Sequence, residues 1–590
     1  MFYQTAYKSS NRKTTNSDPR LKIMWVLFVL LAVVVVGRLF MLMIWENNFY
    51  LALAAGSHDM YNKLFPKRGS VYIQDSRTKE EYPLAINRDY FLVYADTRKI
   101  KTNEEANLVL QKLAEVFNYD DAKKLKILTQ LNKRTDPYEP IENKIDEMTM
   151  QKITTLNLVG IDFVRQPFRF YPEGNLAAPV IGFLGKDKDG NNIGHYGIEG
   201  YWQKELAGKG GFVQGAKSAV GAFIPLADRY LKASEDGADL LLTIDRTIQY
   251  KACERLEAYR QEFGAKTASL ILIDPYNGAI RTMCSLPDFD PNNYGQVENA
   301  DVYNNSNIFT PYEPGSVFKP ILMAAAINEG LVSPNTTFFD SGSRAGLCQT
   351  PIRNADDKSY QTQSMIGVLE NSVNTGMVFV AEQLGKKREI KYLEDFGFGF
   401  QSGLELDSEV GGNISTLKEN KGDKIDCYGA TASFGQGITA TPLQLVSAFS
   451  AIVNGGKLYK PYIVEEVRMA DGTIEKRNPK ETRTVLNNQT SVLLLGMLTS
   501  VVENGHAKRA GVPGYYVGGK TGTAQIPGPG GYTAETIQTF IGVFPSDNPK
   551  FVMLIKFEKP ARTWADSTTA PAFGEIAKFI LQYYQVPPNR

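Results

Sequence analysis

Three short motifs lie far apart in the chain but in a set order: Ser316-Val317-Phe318-Lys319, Ser372-Val373-Asn374 and Lys520-Thr521-Gly522-Thr523-Ala524. They constrain the fold more than any other feature, because the chemistry they spell requires all three in one place. None is specific alone. Ser-x-x-Lys also occurs at Ser10, Ser76 and Ser415, and a second Ser-x-Asn at Ser546-Asp547-Asn548. Ser10 precedes a long apolar segment, Ser76 and Ser415 sit in charged stretches with no buried helix after them, and Ser546 falls in a polar turn between two β-rich runs. Order and context leave the trio as an acyl-serine site.

Glu313-Pro314-Gly315 breaks the chain just before Ser316, and Leu322 to Ile327 reads as a buried helix after it. Ser316 is thus expected at a helix N-terminus, where the helix dipole favours developing negative charge. Positions three apart share a helical face, which sets the Lys319 amine over the Ser316 hydroxyl. Pro320 is tolerated in a first turn, where backbone N–H groups lack intrahelical partners.

A serine hydroxyl is a poor nucleophile until a base takes its proton, and a lysine is a base only when desolvation or a nearby positive charge lowers its pKa. Lys520 is the candidate for that charge. Ser372 is positioned by order to relay a proton to the leaving amine, and Asn374 to hold a substrate amide or orient Lys319. Tyr515 to Gln525 is rich in Gly and Thr and leaves little bulk on one edge, so it can accept an extended peptide as an added strand. Lys520, Thr521, Gly522 and Thr523 are the candidate substrate-binding residues, set where a terminal carboxylate would bind. The backbone N–H groups of Ser316 and Thr523 are the candidate oxyanion hole.

The chain closely resembles the class B penicillin-binding proteins, the monofunctional D,D-transpeptidases of bacterial wall synthesis, over nearly its whole length. Besides the trio, the resemblance rests on Tyr312-Glu313-Pro314-Gly315, Ser433 to Ile438 and Thr441-Pro442-Leu443-Gln444-Leu445. In the N-terminal half it rests on Arg68-Gly69-Ser70-Val71, Arg169-Phe170-Tyr171-Pro172 and Gly197-Ile198-Glu199-Gly200. One departure stands out: Tyr72 to Tyr82 is charged and lacks the second glycine of the family's compact turn.

The resemblance implies an α/β (α+β) fold: a penicillin-binding, β-lactamase-like domain with a central antiparallel five-stranded sheet flanked by helices, preceded by a mixed α/β pedestal. The expected division is a cytoplasmic tail over 1–22, a transmembrane helix over 23–45, a pedestal over 46–236 and a transpeptidase domain over 237–590. It also implies peptidoglycan stem peptides as donor and acceptor, β-lactams as covalent inhibitors, and no cofactor. Expected partners are the membrane, a glycan polymerase of the shape, elongation, division and sporulation type (SEDS family), and other division or elongation proteins. Within the family the chain looks more like the division branch. A D,D-carboxypeptidase or β-lactamase shares the trio, and a β-lactam sensor or a morphogenetic scaffold are non-enzymatic alternatives.

Ile23 to Trp45 is apolar apart from Arg38, long enough to span a bilayer, and is preceded by Lys8, Arg12, Lys13, Arg20 and Lys22 against Asp18 alone. The positive-inside rule then puts the N-terminus in the cytoplasm and the rest outside. Ala52 to Ala55 offers the competing reading of a cleaved signal peptide. With 65 basic against 64 acidic residues there is no bulk charge for nucleic acid. His58, His195 and His506 lack metal-ligand spacing, so no metal site is expected. Of four cysteines, Cys284 reads as a small buried thiol in a strand, and Cys348 with Cys427 is the favoured bridge over any pairing of Cys253.

Overall fold

The computed structural model describes residues 24, 28–32, 34–35, 66–214, 230–419, 422–528 and 531–590. The segment 23–45 falls mostly outside them, and among the described residues no helix is long and apolar enough to cross a membrane. The chain divides into two compact units. Of the unit formed by 1–66 and 209–235, the structure describes an antiparallel pair, Phe212–Gln214 with Tyr230–Lys232. The unit formed by 67–208 and 236–590 holds two large sheets and every motif of the trio.

Its first sheet has seven strands. In chain order these are β1 (Val71–Gln74), β2 (Glu81–Ala95), β3 (Glu139–Ile145), β4 (Ile161–Phe170), β5 (Asp239–Asp245), then Val464–Arg468 and Ile474–Lys476. β1 lies parallel to β5 and antiparallel to β2, and the long β2 carries both β3 and β4. Helix α1 (Asn103–Phe117) starts on a capping box between Thr102 and Glu105. It buries Ala106, Val109 and Leu113, spaced at three and four, in a small core with Ile127, Ile141 and Ile153. The charged β1–β2 connection that lacks the family glycine is tied instead by Asp75, whose Oδ1 accepts the N–H groups of Arg77 and Thr78 at 2.9 and 3.0 Å.

The three N-terminal motifs of the resemblance converge on one buried carboxylate. Glu199 accepts from Arg169 Nε at 2.6 Å and from Arg68 Nε at 2.8 Å, while Arg169 also donates to the Gly69 carbonyl at 2.8 Å. Burial alone would raise the Glu199 carboxyl, but the two guanidinium groups outweigh it and hold it below the usual carboxylate range.

The second sheet is antiparallel and five-stranded, in the order β7 (Ile280–Leu286), β6 (Thr267–Ile273), β10 (Phe551–Glu558), β9 (Gly531–Phe544), β8 (Gly518–Gly528). β6 and β7 meet through an Asn277-Gly278 turn, a pair that favours hairpins, with Gly278 at φ +82° and no room for a Cβ against the Lys460 carbonyl. Ser546 lies in the connection between β9 and β10, as read from sequence. Helices α4 (Arg246–Glu262) and, at the end of the chain, Thr569–Tyr583 cover one face. α7 (Pro442–Val453) and α8 (Asn488–Glu503) also pack against the sheet, while α5 (Lys319–Asn328) packs on both of them and α6 (Asn374–Leu384) on α5. α7 begins with Thr441 as cap, Pro442 in the first turn and Gln444 closing a capping box. β8 is the edge strand, and its free side faces the trio.

Two features differ from the sequence reading. β5, expected to open the catalytic fold, joins the first sheet beside β1, and only the helix it feeds, α4, packs on the second sheet. Cys284 is buried but is not a free thiol: it is bonded to Cys253, because α4 lies along β7 and brings the two Cα atoms within 5.6 Å. The favoured Cys348–Cys427 bridge is present.

The Glu199 cluster yields a stability prediction. Glu199→Ala leaves two arginines buried side by side with no anion, and should destabilise this unit by about 3–5 kcal/mol. Urea unfolding followed by circular dichroism checks it; an unchanged midpoint would show that the cluster contributes nothing.

Candidate active site

Ser316 lies in a single 3₁₀ turn, Gly315–Phe318, that runs directly into α5. The turn is clamped on both sides. Tyr312 and Ala440 exchange two backbone hydrogen bonds at 3.0 Å, and Gly315 N–H donates to the Gly435 carbonyl at 3.0 Å. Gly435 sits at φ +81°, and a Cβ there would lie 2.3 Å from the Gly315 carbonyl oxygen. On the far side, Gly522 of β8 passes so close that a Cβ would come 3.0 Å from both the Pro314 oxygen and Val317 Cγ1. The last residue of Lys-Thr-Gly is therefore a glycine because the strand must touch the turn that carries Ser316.

α5 is buried along nearly its whole length, and Lys319 at its start is fully buried, as is Lys520 on β8. Lys319 Nζ donates to the Ser372 carbonyl at 2.5 Å and to Asn374 Oδ1 at 2.8 Å, and lies 3.2 Å from Ser372 Oγ. Lys520 Nζ donates to the same Ser372 Oγ at 3.0 Å and to the Thr521 carbonyl at 3.2 Å. One hydroxyl thus stands between two amines. Ser372 presents it from the left-handed region at φ +54°, between the helix Met365–Glu370 and α6. For a residue with a Cβ that conformation costs about 1 kcal/mol.

Neither lysine has a carboxylate partner among the described residues. Burial, and secondarily the Lys520 charge, push the Lys319 amine well below its ordinary value; burial brings Lys520 down to about 7. A neutral amine has two N–H bonds and one lone pair. The Ser372 carbonyl and Asn374 Oδ1 are acceptors only, so they take both N–H bonds and leave the lone pair to receive a proton, with the Ser372 hydroxyl its third neighbour at 3.2 Å.

All of the candidate residues are gathered here: Ser316, Lys319, Ser372, Asn374, Lys520, Thr521, Gly522 and Thr523. Asn374 is turned to orient Lys319, its amide Nδ2 being held by the Arg353 carbonyl at 2.9 Å. The expected contact of Lys319 with Ser316 is not made. Among the described residues no hydrogen bond joins them, and the amine is engaged by the Ser372 and Asn374 acceptors instead.

A cleft of about 300 Å³ opens over Ser316, Ser372, Thr521 and Thr523. Its walls include residues that sequence reasoning missed. Asn354 Oδ1 accepts the Asn374 N–H at 3.0 Å, and Asp356, Lys358 and Tyr360 follow it along the same wall. Opposite stand His506, Trp564 and Asp566. His506 had been weighed only as a metal ligand, and the others carried no local signal.

Residues 268–578 match the penicillin binding protein transpeptidase domain family, and residues 63–242 match the penicillin-binding protein dimerisation domain family. The chain is 34% identical to the stage V sporulation protein D of Bacillus subtilis, over 89% of this chain and 79% of that protein. It is 28% identical to the peptidoglycan D,D-transpeptidase FtsI homolog of Mesostigma viride, over 98% of each. The crystal structure of penicillin binding protein 3 from Mycobacterium tuberculosis, complexed with aztreonam, superimposes with a TM-score of 0.67 at 25% identity, covering 89% of this chain and 98% of that one. Penicillin binding protein 2X from Streptococcus thermophilus shares the fold, with a TM-score of 0.73 at 22% identity over 88% and 80% of the two chains.

The electrostatic coupling is testable directly. Lys520→Met removes a positive charge without opening the core, so the Lys319 pKa should rise; nitrogen-15 NMR of labelled lysine reads it. A Lys319 pKa that does not move would leave burial as its sole determinant.

Proposed function

The chain belongs to the penicillin-binding protein transpeptidase family, and we propose that it is a membrane-anchored peptidoglycan D,D-transpeptidase whose nucleophile is Ser316. The observation that carries this reading is the Lys319 amine, buried, with both N–H bonds engaged and its lone pair left over. When a donor stem peptide enters, that lone pair takes the Ser316 proton and Oγ attacks the penultimate D-alanyl carbonyl. The oxyanion is received by the Ser316 and Thr523 N–H groups at the junction of turn and edge strand.

The proton then passes from Lys319 through Ser372 Oγ to the departing D-alanine amine, a path for which the 3.2 Å separation of Lys319 Nζ and Ser372 Oγ argues. Lys520, Thr521 and Thr523 bind the donor's terminal carboxylate. That carboxylate raises the Lys520 pKa from about 7, so Lys520 is charged when the donor is bound. A second stem peptide's amine resolves the acyl-enzyme into a crosslink. β-Lactams enter as the first substrate does and remain as an ester on Ser316.

The anchor is the apolar run Ile23 to Trp45, with the N-terminus in the cytoplasm and the catalytic unit on the outer face of the membrane. The two disulfides fit an oxidising compartment. The setting is division, alongside a membrane glycan polymerase of the SEDS family.

Two experiments test these points. Ser316→Ala should abolish labelling by fluorescent penicillin with the fold intact, and Lys319→Ala should slow acylation by about 10²–10⁴; labelling of the serine variant, or a normal rate in the lysine variant, removes the assignment. Immunoblotting of a chain tagged at both ends should show both tags in the membrane fraction, whereas loss of the N-terminal tag alone means the apolar run is a cleaved signal.

A further inference from the structure

The acyl-enzyme must be resolved by an amine, and a primary amine of the lysine type has a pKa of about 10 and arrives as an ammonium. It must lose one proton before it can attack and a second as the amide forms. Lys319 can serve only one of these. It is committed to the Ser316 oxygen, which needs a proton back when the ester breaks. The cleft therefore needs another acceptor of protons on the side from which the second substrate enters.

His506 is placed to be that group. It follows α8, beside Gly505, with its backbone N–H donated to the Glu370 carbonyl at 3.3 Å. It is exposed in the same cleft as Ser316 and Ser372, and its ring has no hydrogen-bond partner among the described residues. The charged groups that bear on it come from three other elements, Lys520 of β8, Asp566 of the turn Ala565–Ser567, and Asp356 and Lys358 of the Asn354–Tyr360 wall, while the neighbouring Glu370 carboxylate accepts from the Ser500 hydroxyl. The two carboxylates favour an approaching ammonium. Enclosure by the cleft, then Lys520, hold the imidazole below its ordinary value, offset in part by Asp566 and Asp356, so it is neutral and able to accept a proton at neutral pH.

Resting on the Ser316 reading above, we propose that His506 is the base that deprotonates the incoming acceptor ammonium. One proton moves from R–NH₃⁺ to the imidazole, giving a free amine and an imidazolium. The amine lone pair attacks the acyl carbonyl and the C–N bond forms. The tetrahedral intermediate then collapses with cleavage of the C–O bond to Ser316. The second amine proton passes to Lys319 and on to Ser316 Oγ, while the imidazolium releases its proton to solvent. Ammonium and ester give amide, serine and one proton.

The test uses the full chain in detergent, a D-alanyl thioester donor and glycinamide as acceptor, comparing wild type with His506→Gln. Acylation by benzylpenicillin, in which His506 takes no part, is expected to be unchanged. Aminolysis of the acyl-enzyme near neutral pH should fall about a hundredfold, the lower end of what base catalysis contributes. It should return as the pH is raised towards the amine's own pKa, and on addition of free imidazole. Wild-type aminolysis should fall as the pH drops through the imidazole pKa below 6.5, a limb the variant lacks. Equal losses in acylation and aminolysis, or an unchanged ratio of aminolysis to hydrolysis with the same pH profile, would overturn the role. A wild-type chain that forms no penicillin adduct would instead sink the Ser316 reading itself, and this inference with it.

Discussion

Two lysines are buried within hydrogen-bonding distance of one serine hydroxyl, without a carboxylate among the described residues to neutralise either. An isolated buried ammonium is costly enough that the group gives up its proton instead. The second lysine adds repulsion to desolvation, so the burden falls on Lys319, whose neutral form is the one a serine nucleophile needs. The surroundings are organised to sustain this arrangement: α5 is packed nearly all around, Ser372 is held at positive φ, and Gly522 lets β8 press against the turn at Pro314 and Val317.

The five-stranded sheet supplies the rigidity. β6, β9 and β10 are central and covered on both faces, leaving β8 as an edge with a free side, and an extended peptide can complete that edge with main-chain hydrogen bonds. The buried Glu199 cluster plays a comparable part in the first sheet, tying the segments around residues 68, 169 and 199 into one corner. Polar groups are thus buried at two places in this unit for opposite ends. In one, opposite charges satisfy each other and fix the chain; in the other, two hydrogen-bonded amines are buried with no carboxylate partner among the described residues, which bears on their protonation.

Much of this was legible before any coordinates. The apolar run after Ser316, the Thr441-Pro442 start of α7 and the Asn277-Gly278 turn are local signals, because capping, proline and turn chemistry act within a few residues. The motif residues were legible because their order and chemical types admit few alternatives. Cys253 with Cys284 was not, since their meeting depends on how α4 crosses β7. Nor was the membership of β5, whose run of apolar residues suits either sheet equally well. Asn354, Trp564 and Asp566 belong to loops whose neighbours are set only by the packing of other elements.

The amino-acid sequence by itself determined the candidates for reaction: a serine, two lysines, a second serine and an asparagine, each named by type and order along the chain. Only the tertiary structure decided their states. Whether Lys319 is a base depends on how completely helices and sheet exclude water from it and on how near Lys520 comes, and burial and separation are properties of the packed chain. The same holds for His506, which in sequence is one of three scattered histidines and in the fold lines the same cleft as Ser316 and Ser372.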